Sequence, residues 1–224
     1  MVSHHAPSPT APNTESVDVV RFSFLVRNPA LDHAAFLDHY EKIHGPLAVE
    51  QAGFRKYTIE YVQNHCLDKI AGVTWDIDGV TATTQLPRTD YGVGFFQEPD
   101  YAKVQVDERY LFDLGQVRSV LARRHPTRGE GGSYKHFALT RGDAHTQLIE
   151  AVAPRRRRTS VLDASTSSAL GFGSADFDFD VVTELWTDEP VSTLPGHIDA
   201  HLWRMRELVM IPLDSSDPTE KEER

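Results

Sequence analysis

A single cysteine, Cys66, stands in 224 residues. It excludes an intrachain disulfide and any thiolate-rich metal site, and it points to a reducing, cytoplasmic compartment. No apolar run approaches the length of a membrane span. Met1–Ser16 lacks the charged start and apolar core of a secretory signal. Positive charge is scarce: 23 Lys and Arg face 33 Asp and Glu, for a net charge of -10. A surface of that sign repels nucleic acid and anionic membranes alike. There is no Gly-rich phosphate loop, nucleophile elbow or dinucleotide fingerprint. Of the eleven histidines, only His197 and His201 form an i,i+4 pair, and no glutamate between them completes a zinc motif. The expected partner is therefore a small molecule, with no nucleic acid, no membrane, no metal and no cofactor.

What is present is an ordinary globular balance, 40% hydrophobic and 25% charged. Residues 1–16 are rich in Pro, Ser, Thr and Ala and are expected to be a disordered tail, as are residues 214–224. Between them, the polar Gly-rich run 125–133 reads as a linker. It separates a first unit, 17–124, from a second, 134–213.

The first unit reads strand, helix, strand, strand, short helix, strand. Val20, Phe22, Phe24 and Val26 alternate as the apolar face of strand one. Asn28-Pro29 breaks it. Asp32 is a helix N-cap, and Leu31 with Phe36 fits a hydrophobic staple. The helix starts at His33, and Gly45-Pro46 stops or kinks it after His44. Further strands are expected at Phe54–Asn64, Gly79–Leu86 and Gln116–Arg123, with a helical stretch at Glu98–Tyr110. The second unit repeats this order. Lys135–Arg141 lines up with Arg21–Arg27, Asp143 caps a helix through Val152, and strands follow near Ser160–Ala164 and Phe177–Trp186. Ser165–Ala175 reads as a loop, Val191–Arg204 as containing a helix and Glu207–Pro212 as the last strand. Arg155–Arg158 reads as a solvated turn. Two such units imply a duplication. The expected fold is α+β, with tandem ferredoxin-like units forming an α+β barrel of antiparallel sheets and helices outside. A homodimer is expected to cover exposed sheet edges and helix faces.

The residues that carry chemistry cluster around Phe36-x-x-x-Tyr40-x-x-x-His44-Gly45-Pro46-Leu47. Phe36, Tyr40, Ile43 and Leu47 share one stripe, with His44 at its edge. An imidazole there suits proton transfer, or it ties the helix end to a loop. Tyr40 is either core or substrate wall. Tyr57, Tyr61 and His65 fall on one side of the second strand, where hydroxyls polarise a substrate oxygen or pack between sheets. His65 equally fits a strand-end cap. Trp75 and Phe95 are candidate aromatic walls. Arg21 is a candidate anchor for a carboxylate or phenolate, or the partner of Glu60 in a buried ion pair.

These residues resemble the EthD family of the dimeric α+β-barrel superfamily. The likeness is carried by Ala35-Phe36, Tyr40 and His44-Gly45-Pro46-Leu47-Ala48, by Tyr57 to His65, by Ile77-Asp78-Gly79-Val80, and by Asp107-Glu108 with Leu111-Phe112-Asp113. In the second unit it is confined mainly to Val181–Asp188, and no His-Gly-Pro occurs there. The resemblance implies an origin beside catabolic or polyketide pathways. It implies a cofactor-independent lyase, cyclase or dehydratase acting on a small aromatic or polyketide-like substrate. In that reading His44, Tyr61 and His65 are catalytic, while Arg21, Tyr40, Tyr57, Trp75 and Phe95 bind substrate. The alternatives are a non-catalytic ligand-binding accessory protein and an oxygenase, cofactor-free or haem-using.

Overall fold

The computed structural model describes residues 18–72, 75–85, 94–162 and 177–213. The expected tails and the 165–175 loop lie outside these ranges. Along the chain come β1 (Asp18–Leu25), α1 (His33–His39), α2 (Gly45–Glu50), α3 (Ala52–Tyr57), β2 (Thr58–Ala71), β3 (Gly79–Gln85), α4 (Ala102–Leu111) and β4 (Arg118–Arg124). The second half holds β5 (Arg128–Gly129), β6 (Tyr134–Thr140), α5 (Ala144–Val152), β7 (Arg156–Leu162), β8 (Val181–Thr187) and β9 (Ala200–Ile211).

The strands of the first half lie in the order β4-β1-β3-β2, and those of the second in the matching order β9-β6-β8-β7. β2 pairs with β9 and β4 with β7, so eight antiparallel strands close into one barrel with the helices outside. The fold is α+β, as the sequence implies. Among the described residues, closure leaves the barrel without an open edge; β5 merely adds to β7. The exposed edges that motivated a homodimer are thus used within the chain.

Closure explains why so many strand positions are apolar on both faces. Val20, Phe22 and Phe24 of β1 point into the barrel with Val62, Val80, Ala82, Val120, Phe137, Leu139, Val182 and Trp203. Phe137 meets Phe22 edge-on at 5.5 Å, so the two halves share one core. The outer face of the first half is covered twice. Leu25 lies under Phe36, Tyr40, Leu111 and Phe112, and Tyr61 lies under Ala48, Phe54, Phe95, Tyr101 and Val104. In the second half, Ala138, Leu185 and Leu202 pack beneath Leu148 of α5 and Ile198.

One end of the barrel interior is ionic rather than apolar. Arg124 reaches Glu60 at 2.5 Å and Glu184 at 3.4 Å; Lys135 reaches Glu184 at 2.8 Å and also pairs with Glu207. Arg158 lies 3.4 Å from Glu60 and 3.9 Å from Glu184. Three cations thus balance three carboxylates. Burial alone would raise the Glu184 carboxyl, but the charges of Lys135, Arg124 and Arg158 outweigh it and hold it at about 2. Glu60, the alternative partner for Arg21, faces this network instead, and Arg21 projects from the opposite face of β1.

Three local expectations are corrected and two are specified further. Gly45-Pro46 does not end the helix: Tyr40–His44 widens into a π-helical turn, the Gly45 N–H bonds to Tyr40 O, and α2 continues to Glu50. The wider turn accommodates Pro46, which has no N–H to offer the preceding turn. Residues 54–57 are helical, so Tyr57 ends α3 and β2 begins at Thr58. Arg156–Arg158 belongs to β7 rather than a turn, because alternate arginines find the ion network or the Trp186 ring. The expected helix within 191–204 is absent. Pro190, Pro195 and Gly196 keep 188–199 irregular, and β9 starts at Ala200. The 125–133 linker carries β5, with Gly129, Gly131 and Gly132 all at positive φ.

Acid should weaken the fold in two stages. His136 accepts from the Val191 N–H at Nε2, and burial followed by the charge of Arg204 lowers its pKa from 6.5 to about 4. Its folded value is depressed, so its contribution is complete above pH 6.5 and is lost as pH falls through 4. Glu184 has the same sign: its contribution is complete above its ordinary 4.5 and is lost towards 2. Melting temperatures measured across this range should show both stages, and His136→Gln should reduce the upper one, to which the equally depressed His65 also contributes. Glu184→Gln should cost about 3–5 kcal/mol in urea denaturation, since it leaves buried cations uncompensated. Asp188→Asn, which breaks the surface pair with Arg155, should leave the midpoint unchanged.

Candidate active site

The site grows from the π turn. Opening the helix there turns His44 towards the body of the protein, where it is 6% exposed. Tyr40 packs against its ring at 5.7 Å and Phe112 edge-on at 5.2 Å. The Gln63 side chain donates to Tyr40 O at 2.8 Å and to Tyr61 Oη at 3.0 Å, fixing the turn to β2. A Cβ on Gly45 would lie 2.6 Å from Gln63 Nε2, so glycine is required for this approach.

His44 Nδ1 meets Asp107 Oδ2 of α4 at 2.8 Å, and His39 Nε2 meets the other oxygen at 2.6 Å. Burial would raise the Asp107 carboxyl, but hydrogen bonds from His44 and His39 outweigh it and hold it below the usual carboxylate value. Against an ionised Asp107, Nδ1 carries the proton and Nε2 is left as the basic nitrogen. Among the described residues, Nε2 has no hydrogen-bond partner.

His44 lines a cavity of about 70 Å³ between the outer face of the first-half sheet and its helices. Arg21, Tyr61 and Phe95 share its wall, with Thr81, Tyr101 and Glu108. Arg21 stacks 4.4 Å from the Phe96 ring centre and donates to Ser119 Oγ at 3.4 Å. Burial pushes its pKa down to about 10, although Tyr101 and Glu108 act to raise it. Tyr101 donates to Glu108 Oε1 at 2.6 Å. Burial raises the Tyr61 hydroxyl, so it stays a neutral hydrogen-bonding group.

Of the eight residues singled out in the sequence, the structure brings His44, Tyr61, Arg21 and Phe95 together. Tyr40 stands behind His44, with its hydroxyl on Thr81 Oγ1 at 2.6 Å, and supports the wall rather than forming it. Tyr57 sits on α3 and donates to Glu98. His65 does not reach the cavity. Arg206 donates to its Nδ1 and its Nε2 bonds to Gln63 Oε1 at 3.1 Å, so both nitrogens are engaged. Burial and the Arg206 charge lower its pKa to about 4. Trp75 closes the apolar end of the barrel against Phe24 at 5.3 Å and Phe177 at 6.1 Å. In the sequence, Asp107 and Glu108 carry part of the family resemblance without standing out as site residues, and Tyr101 carries no signal. Asp107-Glu108 is a visible pair on a short helix, but nothing local ties it to a histidine 63 positions earlier. Among the described residues, no group of three or more His, Cys, Asp or Glu side chains could hold a metal ion. No helix there is long and apolar enough to cross a membrane.

Fold and site together define a closed antiparallel α+β barrel with a histidine–carboxylate pair in a lateral cavity. Residues 28–115 match the EthD domain model. The match contains His44, Asp107 and Glu108. No curated protein matches the sequence. Two solved structures are similar in outline: a candidate monooxygenase from Lactobacillus acidophilus NCFM and another from Fusobacterium nucleatum subsp. nucleatum. Each is 6% identical with a TM-score of 0.45; the first covers 87% of this chain and 96% of its own, the second 88% and 95%. At that distance neither bears on the activity of this chain.

If Asp107 sets the tautomer, nitrogen-15 NMR of the imidazoles should show His44 in the Nδ1–H form in the native protein. Asp107→Asn should yield a mixture of tautomers, while helix content stays unchanged.

Proposed function

We propose that the chain is a cofactor-independent enzyme of the lyase, cyclase or dehydratase kind, moving a proton on a small aromatic or polyketide-like substrate. The observation that carries this reading is the His44–Asp107 pair. One imidazole nitrogen is held by a carboxylate, and the other has no protein partner at the edge of a cavity. A general base needs that arrangement, because the carboxylate fixes the ring and stabilises the imidazolium that forms. Arg21 and Tyr61 then favour the oxygen on which negative charge develops, and Phe95 and Phe96 form an aromatic wall for a planar ring. In this reading His44 is catalytic, Tyr61 polarises oxygen, and Arg21 and Phe95 bind substrate. The EthD domain supports the reading, since it holds both members of the pair.

The test is hydrogen–deuterium exchange at acidic C–H positions, followed by proton NMR over a panel of small aryl ketones and phenols in heavy water. His44→Gln should lower exchange by about 10²–10⁴-fold, the usual worth of a positioned base, with a melting temperature close to native. A variant that exchanges at the native rate, or that loses activity only through unfolding, would assign His44 a structural role.

A further inference from the structure

Two consecutive residues of α4 serve this cavity in different ways. Successive helical residues are rotated by about 100°, so Asp107 and Glu108 point in different directions. Asp107 reaches behind His44, while Glu108 lines the cavity itself. The Tyr101 hydroxyl holds Glu108 Oε1 at 2.6 Å. Among the described residues, Oε2 has no hydrogen-bond partner and no cation forms an ion pair with the carboxyl. The surroundings favour its protonated form: burial raises the Glu108 pKa and Asp107 adds to the rise, against the hydrogen bond from Tyr101 and the charges of His44 and Arg21. A neutral carboxyl with one oxygen tethered can present an O–H from the other.

We propose that Glu108 is the proton donor of this site, acting opposite the His44 base, and that the substrate is a small carbonyl compound with an acidic C–H beside the carbonyl. The proposal rests on the reading of His44 as the base. The step balances without a co-reactant. His44 Nε2 takes the proton from carbon, the C–H electron pair becomes the new C=C bond, and the carbonyl π pair moves onto oxygen. That oxygen takes the proton of Glu108, giving the enol. The enzyme is left with an imidazolium and a carboxylate, opposite charges in one cavity, and exchange with water restores both. Tyr101 is a positioning residue, because it holds the carboxyl without meeting the reacting atoms.

An acid partner also answers a problem that the base alone leaves. Removing a proton from carbon builds charge on oxygen inside a cavity walled by buried side chains, where an uncompensated charge is costly. Concerted transfer from Glu108 avoids forming that charge in full. The adjacent Arg21 then steadies whatever charge remains.

Two measurements test this. The first is an infrared difference spectrum between the native protein and Glu108→Gln at neutral pH. It should show loss of a protonated-carboxyl carbonyl band; a carboxylate band in its place overturns the proposal, whatever the kinetics. The second is α-proton exchange of 2-indanone in heavy water, on the native protein and on His44→Gln, Glu108→Gln and Tyr101→Phe. Glu108→Gln keeps a hydrogen-bond donor but has no proton to give, and should lose about 10²-fold or more. Tyr101→Phe should lose less, with its protonated-carboxyl band altered. Loss in His44→Gln with native exchange in Glu108→Gln overturns the acid and leaves the base standing. Native exchange in both variants overturns both. If the native protein does not accelerate exchange, the carbonyl substrate class falls.

Discussion

Arg124 sits where the barrel closes. β2 and β9 share nine paired positions along one seam, whereas β4 and β7 share three along the other. The short seam is braced from inside. Arg124, at its end, reaches Glu60 of β2 and Glu184 of β8, and Arg158 of β7 reaches the same two carboxylates. Without these bonds each carboxylate would stand buried beside too few cations, and desolvation would favour opening the barrel to water. Everything outside the sheet depends on that closure. The helices of the first half can bury a face only because the sheet beneath them is held as one curved surface.

Closure also divides the labour between the two sides of the sheet. The interior carries aromatic rings at one end and ion pairs at the other. The cavity lies on the outer face of the first half. There Arg21, Tyr61 and Thr81 project away from the barrel towards the helices. The strand alternation that sends Val20, Phe22 and Phe24 inward sends Arg21 and Ser23 outward, so one pattern builds both core and cavity wall. In the second half, the outer face is covered by Leu148, Ile198 and the irregular 188–199 segment, and no histidine–carboxylate pair stands over it among the described residues.

The π turn is where the fold becomes a site. Pro46 prevents regular hydrogen bonding one turn back, and the helix responds by widening rather than ending. Gly45 admits Gln63, whose amide fixes the Tyr40 carbonyl and the Tyr61 hydroxyl. His44 is thereby aimed at α4, where Asp107 holds it. A helix terminating at His44 would have left the ring more exposed, as a simple reading of Gly45-Pro46 suggests. Continuation buries it to 6% exposure, with one nitrogen engaged.

The sequence by itself determined the fold class, the repeated strand order and the place of His44 on the edge of a buried helical stripe, because these follow from local signals: the period-two alternation of β1, the cap at Asp32, and the His-Gly-Pro break. It also carried the EthD resemblance. Only the tertiary structure decided which side chains meet. Tyr57 and His65 share the parity of Tyr61, yet a helix end at Tyr57 and the hydrogen bonds of His65 to Arg206 and Gln63 remove both from the cavity. Trp75 and Arg158 were directed inward by barrel closure, a global event that no window of residues encodes. Asp107 acquired His44 across 63 positions and through the packing of α4 on the sheet. Local periodicity specifies which face of an element is apolar; it does not specify which other element will cover that face. A histidine–carboxylate pair is a contact between elements, and so it is decided where they pack.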